Sequence, residues 1–435
     1  MENLYIHVVS LGCEKNRVDT EHMLGLLAGS NAALVDDPAD ADVIIVNTCG
    51  FINEAKQESI DTILEMARYK QNGASALIVT GCLVQRYAAE LAEELPEVDA
   101  FLGVSCYSRL MEAIRSALGG KRYVSCDRVD GDIVPRVLTT PGHMAYIRIS
   151  DGCNNRCSYC AIPIIRGGLK SRPMDSILSE IRDLKAAGVS EAILIAQDTT
   201  RYGEDMGRRM LPELVDRAAD IMEGGWLRLM YCYPDGITDE LIETILKHDN
   251  VCRYLDVPLQ HFNDPVLRRM NRRNTRESSM TLVKRLHDLG FVLRTSLIVG
   301  FPGETQADFD VMMNCVRELR FDRLGVFRYS AEEGTPAAEF DGQVPEEVKQ
   351  ERYEAVMALQ EGISQQLCRQ QIGKTVRVIV DGHDEAGLLV GRAMSQTPDI
   401  DGVTYISTKK DLTPGTFHDV LIKDAYEYDL LGECE

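Results

Sequence analysis

No apolar run in this 435-residue chain approaches the roughly twenty residues that a bilayer-spanning helix needs. The opening residues, Met1-Glu2-Asn3-Leu4-Tyr5-Ile6, lack a basic stretch followed by an apolar one, so no export signal and no membrane partner are expected. Positive charge is scarce. Lys and Arg number 47 against 68 Asp and Glu, a net charge of −21. Such a surface repels nucleic acid at long range and attracts basic partners. The glycines of Gly300-Phe301-Pro302-Gly303 are not followed by Lys-Ser/Thr, which excludes a phosphate-binding loop there. Cysteine, in contrast, is plentiful at thirteen. Without an export signal the expected compartment is the cytoplasm, where thiols serve metal or redox chemistry rather than disulfides.

Three of those cysteines fall in ten residues, Asp151-Gly152-Cys153-Asn154-Asn155-Arg156-Cys157-Ser158-Tyr159-Cys160. The spacing C-x3-C-x2-C lets sulfurs from one loop converge on a common centre. Three ligands, rather than four, is the informative count. A closed structural site wants four protein ligands, whereas an open site leaves one position for substrate. A zinc site would need a distant fourth ligand, and the histidines downstream, His248 and His261, are roughly ninety and a hundred residues away. An odd triplet does not pair into disulfides. An iron–sulfur cluster with one iron left open is the reading that uses all three.

The chain is longer than one ordinary core, so two or three domains are expected. Residues 4–118 alternate strand and helix patterns: strands at Leu4–Ser10, Asp42–Asn47, Ala76–Thr80 and Val98–Leu102, with helices at Lys15–Ala28, Asn53–Tyr69, Gln85–Leu95 and Ser108–Leu118. Apolar strands alternating with amphipathic helices imply a doubly wound parallel sheet. Cys13, Cys49 and Cys82 each follow one of the first three strands. Parallel strands place their carboxyl ends on one edge, where such sheets bind ligands. A lone cysteine there would be a small buried hydrophobe. Three at equivalent positions suggest a second three-thiol site. The other seven cysteines show no ligand spacing and read as core or surface thiols.

Residues 121–138 read as a linker, with Tyr123–Cys126 and Ile133–Val137 a candidate hairpin. From 139 to 369 six strand–helix units follow, an incomplete relative of the eight-fold barrel. Their strands are Ala145–Ile149, Ala192–Ala196, Leu227–Tyr231, Tyr254–Pro258, Leu293–Val299 and Leu324–Arg328. The cysteine loop follows the first. Candidate site walls follow the others: Gln197-Asp198-Thr199, Pro234-Asp235, Gln260-His261 and Gly300–Glu304. The plainer reading makes Asp198 a cap, the glycines a tight turn and His261 a structural histidine. Arg268, Arg269, Arg272, Arg273 and Arg276 crowd one segment. An RNA contact and a solvated or acid-binding face are both open readings of it, while the net charge disfavours direct nucleic-acid binding. Residues 371–435 read as a small all-β module, with six Lys/Arg against twelve Asp/Glu. A negative barrel suits a basic protein better than a phosphate backbone.

The C-x3-C-x-aromatic-C loop, with Tyr159 as the aromatic, resembles the signature of the radical S-adenosylmethionine (SAM) enzymes. The whole arrangement is similar to the methylthiotransferases: an N-terminal three-cysteine domain (1–120), a radical SAM core (139–369) and a C-terminal TRAM barrel (371–435). Ser150-Asp151-Gly152-Cys153, Ile195–Gly203 and Pro258-Leu259-Gln260-His261 resemble the RimO-like branch, which modifies an aspartate β-carbon on the twelfth small-subunit ribosomal protein. The MiaB-like branch, which modifies a tRNA adenosine, is the alternative, and an iron–sulfur scaffold or electron carrier is a third. The resemblance implies SAM and two 4Fe–4S clusters as cofactors. Cys153, Cys157 and Cys160 would hold the SAM-binding cluster, with Tyr159 near the adenine. Cys13, Cys49 and Cys82 would hold the cluster that carries the sulfur to be transferred. The implied partners are a basic ribosomal protein and an electron donor such as a flavodoxin or ferredoxin.

Overall fold

The computed structural model describes residues 4–71, 73–104, 106–127 and 136–434. Its first unit is a six-stranded sheet: β1 (Leu4–Ser10), β2 (Ala32–Leu34), β3 (Val43–Thr48), β4 (Ala76–Gly81), β5 (Ala100–Leu102) and β6 (Tyr123–Ser125). The order is β2-β1-β3-β4-β5-β6 and every pair is parallel. β3 and β4 are buried at every position, as strands covered on both faces must be. Helices Glu14–Ala28 and Leu110–Leu118 pack one face through Met23, Leu27 and Ile114. Helices Asn53–Ala67 and Cys82–Glu94 pack the other through Ile63, Met66 and Leu83. The expected doubly wound sheet is present, with its strand order reversing between β1 and β3.

Two edge strands extend it beyond the sequence reading. β2 is three residues long, too short to show a period. Tyr123–Ser125, expected within the linker, lies parallel to β5 as the far edge of the sheet. Gly119-Gly120 therefore ends a helix and turns the chain back into the same sheet. Residues 133–135 of the expected hairpin lie outside the described residues.

The second unit begins with β7 (Met144–Arg148), followed by a short antiparallel pair, β8 (Ser150–Asp151) and β9 (Lys170–Ser171). Then come β10 (Glu191–Ile195), β11 (Trp226–Leu229), β12 (Val251–Asp256), β13 (Val292–Val299) and β14 (Arg323–Arg328). Six strands run parallel in the order β14-β13-β12-β11-β10-β7, so the predicted six-unit partial barrel is confirmed. Its outer helices bury one continuous apolar core. The opposite face of the sheet packs Tyr146, Ile193, Trp226 and Tyr254 against Val18 of the first unit and Ile379 of the third. Each such fully buried apolar side chain stabilises the docking by about 1.5–3 kcal/mol.

The third unit is a closed five-stranded barrel of β15 (Thr375–His383), β16 (Leu389–Ala393), β17 (Thr404–Ser407), β18 (Phe417–Ala425) and β19 (Leu430–Glu433). It is held to the second by buried charge. Arg392 binds Glu191 at 2.7 Å and Asp381 at 2.8 Å, and Arg228 binds Glu191 at 2.8 Å. Among the described residues no helix is long and apolar enough to cross a membrane.

Candidate metal centres at the seam between two units

β-sheet register sets the first group of thiols. Asn47 pairs with Thr80 and Ser10 with Asn47, so the ends of β1, β3 and β4 are level. Cys49 and Cys82 are the next residues after β3 and β4, and Cys13 caps the helix that follows β1. The reversal between β1 and β3 leaves the crevice in which doubly wound sheets bind ligands. Close packing then brings the loops together. A Cβ on Gly12 would stand 3.1 Å from Cys49 Sγ, and one on Gly50 would stand 2.9 Å from the Cys82 carbonyl carbon. Gly81 has φ +101°, and a Cβ there would meet the Thr48 carbonyl oxygen at 2.5 Å, so the position admits glycine alone.

Asn16 ties this crevice. Its amide nitrogen donates to the Leu11 carbonyl at 3.0 Å and the Thr48 carbonyl at 2.8 Å, and its oxygen lies 3.5 Å from Cys82 Sγ. Asn47 Nδ2 donates to the Asn16 carbonyl at 2.9 Å. The loops bearing Cys13, Cys49 and Cys82 are thus joined through two buried amides.

The second group lies on the loop after β8. Gly152 has φ +73°, and a Cβ there would run into the Gly167 and Gly168 carbonyls, which leaves no room for a side chain. Cys153 N donates to Gly167 O at 3.0 Å, Ser158 N to Met270 O at 3.0 Å, and Ala337 N to Ser158 O at 2.9 Å. Three remote segments therefore clamp ten residues. Cys153, Cys157 and Cys160 line one cleft of ≈ 290 Å³ with Arg156, Gly334 and Thr335.

The two groups adjoin. Cys82 packs in one apolar cluster with Ala161 and Ile165, immediately beyond Cys160. Buried Arg166 crosses the seam. It donates to Asn16 Oδ1 at 3.1 Å and Asp19 at 2.8 Å, lies 3.2 Å from Asp151, and has a guanidinium nitrogen 3.8 Å from Cys82 Sγ. Arg148 also binds Asp19. At the rim, Arg86 and Lys56 both reach Glu332 at 2.9 Å.

Burial sets the state of these thiols. It pushes Cys82 up to about 12, opposed by Arg166, and Cys153 up to about 11. Cys49 and Cys160 are raised for the same reason. Protonated thiols in these nests give up protons when a metal binds. Sulfur donors alone, three to a nest, are the set that iron–sulfur clusters use, so the residues fit such groups. Among the described residues no three Cys, His, Asp or Glu side chains converge on the position of a single metal ion.

Tyr159 stands edge-on to Phe301, ring centroids 6.5 Å apart, in an apolar cluster with Val266, Met270 and Tyr329. Asp198 is a cap, accepting from Thr200 N at 3.0 Å, and it also accepts from Asn155 Nδ2 at 2.6 Å inside the cysteine loop. Gln197 donates to Asp151 at 3.0 Å. His261 is buried, with Nδ1 accepting from Asn263 N at 2.9 Å, a structural histidine. The arginine group divides. Arg268, Arg269, Arg273 and Arg276 are exposed. Arg272 is buried, donates to the Pro258 carbonyl at 2.5 Å, stacks 4.0 Å from the Tyr233 ring and meets the Cys157 thiol. Cys106, Cys232, Cys252, Cys315 and Cys368 lie in apolar cores, as small hydrophobes do.

Known families divide the chain along the same lines. Residues 5–103 match the family described as uncharacterized protein family UPF0004, residues 147–316 the radical SAM superfamily and residues 372–434 the TRAM domain. The fold is similar to the radical SAM methyltransferase TsrM from Kitasatospora setae, with TM-score 0.55, 14% identity and coverage of 88% of this chain and 79% of that one. It is also similar to the cobalamin-dependent radical SAM enzyme OxsB, with TM-score 0.52, 12% identity and coverage of 83% and 56%. Fold and thiol sites thus define a three-domain protein of the radical SAM class. Relatives are similar over almost their whole length. The ribosomal protein uS12 methylthiotransferase RimO of Geobacter sulfurreducens is 50% identical, covering 98% of each chain. That of Lachnoclostridium phytofermentans is 45% identical, covering 99% of this chain and 100% of the relative. The chain belongs to the ribosomal protein uS12 methylthiotransferase RimO family.

Proposed function

We propose that this chain is a radical SAM methylthiotransferase that places a methylthio group on the β-carbon of an aspartate of ribosomal protein uS12. The observation that carries this reading is the adjacency of two three-thiol groups across one seam, with Cys82 packed on the residues that follow Cys160. In this reading Cys153, Cys157 and Cys160 hold a 4Fe–4S cluster whose open iron takes SAM, and Cys13, Cys49 and Cys82 hold a second. The bound cofactors supply the one-electron and sulfur-transfer chemistry that an aspartate β C–H bond, which has no acid–base route to activation, requires.

This chain's residues position that chemistry. Asp198 and Asn155 fix the cysteine loop against β10. Arg166, balanced by Asp19 and Asp151, places positive charge beside Cys82 and opposes the burial that keeps its thiol protonated. Arg272 brings a buried guanidinium to the Cys157 side chain. Glu332, with Arg86 and Lys56, closes the rim between the units and limits water entry. Tyr159 is proposed to lie beside the SAM adenine. The enzyme would work in the cytoplasm on a basic ribosomal protein, reduced by a flavodoxin- or ferredoxin-like donor. The acidic third unit complements that substrate.

The test is anaerobic incubation of reconstituted protein with SAM, reductant and either purified uS12 or tRNA. A mass gain of CH₂S on uS12 is expected. Modification of tRNA with uS12 unchanged would refute the substrate, and intact SAM in both reactions would refute the reaction class.

A further inference from the structure

We infer that Lys15 forms a carboxylate-binding position between Cys13 and the mouth of the second unit's parallel sheet, and that this position recognises the side chain to be modified. The inference rests on the aspartate substrate proposed above and adds the group that would distinguish it.

Lys15 lies two residues beyond Cys13, in the first turn of helix Glu14–Ala28. The side chain crosses the seam. Its Nζ stands 2.9 Å from the centroid of the Tyr231 ring in the second unit. Tyr231 follows β11, and the neighbouring β12 ends at Asp256. Both mark the carboxyl ends of parallel strands, the edge at which such sheets act on ligands. A cation from one unit is thereby delivered to the binding edge of the other, beside a thiol of the first group.

The pairing of charges singles it out. Arg148 is bound by Asp19, Arg166 by Asp19 at 2.8 Å and Asp151 at 3.2 Å, and Arg294 by Asp256 at 2.8 Å. The Lys15 side chain is 8% exposed, yet its ion pair with Glu14 Oε2 spans 3.9 Å, beyond hydrogen-bond reach. That Glu14 oxygen is already taken by the Tyr231 hydroxyl at 2.6 Å. Among the described residues no acceptor stands within hydrogen-bond distance of the Lys15 ammonium. An ammonium has three donors, and a ring face engages it on one side alone. The others remain for an incoming carboxylate, in a buried setting where a charge-assisted hydrogen bond is strong.

Aspartate suits this position because its carboxylate is bonded directly to the carbon that would be modified. One contact then fixes the reacting C–H bond. Asparagine has the same shape without the charge, so the site would reject it.

The experiment titrates two uS12 segments, one with the target aspartate and one with asparagine in its place, into reconstituted protein under anaerobic conditions. The parent protein is expected to bind the aspartate segment at least about tenfold more tightly. Lys15→Met should erase that ratio by weakening the aspartate segment alone, and Lys15→Arg should keep it. Equal weakening of both segments by Lys15→Met, the result of a merely structural role, would overturn the inference. So would equal binding of the two segments by the parent protein, a result that needs no variant. If uS12 gains a methylthio group but the ratio is one, this inference fails alone. If uS12 is never modified, the functional reading fails and takes this inference with it.

Discussion

The two thiol groups are built by opposite means. Cys153, Cys157 and Cys160 lie on one ten-residue loop, so chain connectivity brings them together and remote backbone hydrogen bonds merely hold the loop's shape. Cys13, Cys49 and Cys82 are spread over seventy residues, and only the register of three parallel strands makes them neighbours. The local group borrows little from its domain. The distributed one is the edge of a sheet, and it depends on the packing of that whole sheet. A change along β1, β3 or β4 is therefore felt first at the distributed group.

The largest expected effect separates the two by chemistry. Cys157→Ala should abolish 5′-deoxyadenosine formation from SAM. Cys82→Ala should preserve that cleavage and lose methylthio transfer completely. Product analysis of the two variants side by side checks this, and loss of both activities in Cys82→Ala would collapse the distinction.

Next in size are the two glycines that admit each group. Gly81→Ala forces a Cβ to within 2.5 Å of the Thr48 carbonyl at a positive φ, a strain of about 1–3 kcal/mol before any clash. It should lower the unfolding temperature of the first unit and spare SAM cleavage. Gly152→Ala should do the reverse, destroying cleavage with little change in global stability. Thermal unfolding and 5′-deoxyadenosine assays on both variants test the contrast.

The smallest effect probes the seam itself. His22 lies on helix Glu14–Ala28, three residues beyond Asp19, stacked on Tyr107 with centroids 5.6 Å apart. Burial, then Arg148 and Arg136, hold its pKa down near 4 from 6.5. A depressed value means the unfolded chain takes the proton first. Stability from this group is therefore full above pH 6.5 and is lost as pH falls towards 4, by up to about 3 kcal/mol. His22→Phe keeps the stacking and removes the titration. The stability difference between parent and variant should be flat above pH 6.5 and change through that window, as urea unfolding at several pH values would show.

How much of this was legible in the sequence follows the same contrast. The local group could be read from spacing alone. The distributed one was readable because each cysteine follows an apolar strand and parallel strands share an edge. All six barrel strands were placed, since long apolar runs are insensitive to a shift of a residue or two. β2 and β19 were not, because strands of three or four residues carry no period. The polar residues of the seam were also hidden. Asn16, Lys15 and Arg166 act through partners in another loop or another unit, and no local pattern marks a buried amide or cation. Arg272 was noticed as one of a basic group, yet its burial against Tyr233 and Cys157 sets it apart from its four exposed neighbours.

Iron content tests the central claim most directly. Two independent three-thiol sites predict about eight irons per anaerobically reconstituted chain, falling to about four in Cys82→Ala and about four in Cys157→Ala. A parent protein that saturates at about four, or a Cys82→Ala variant that keeps all eight, would contradict the account.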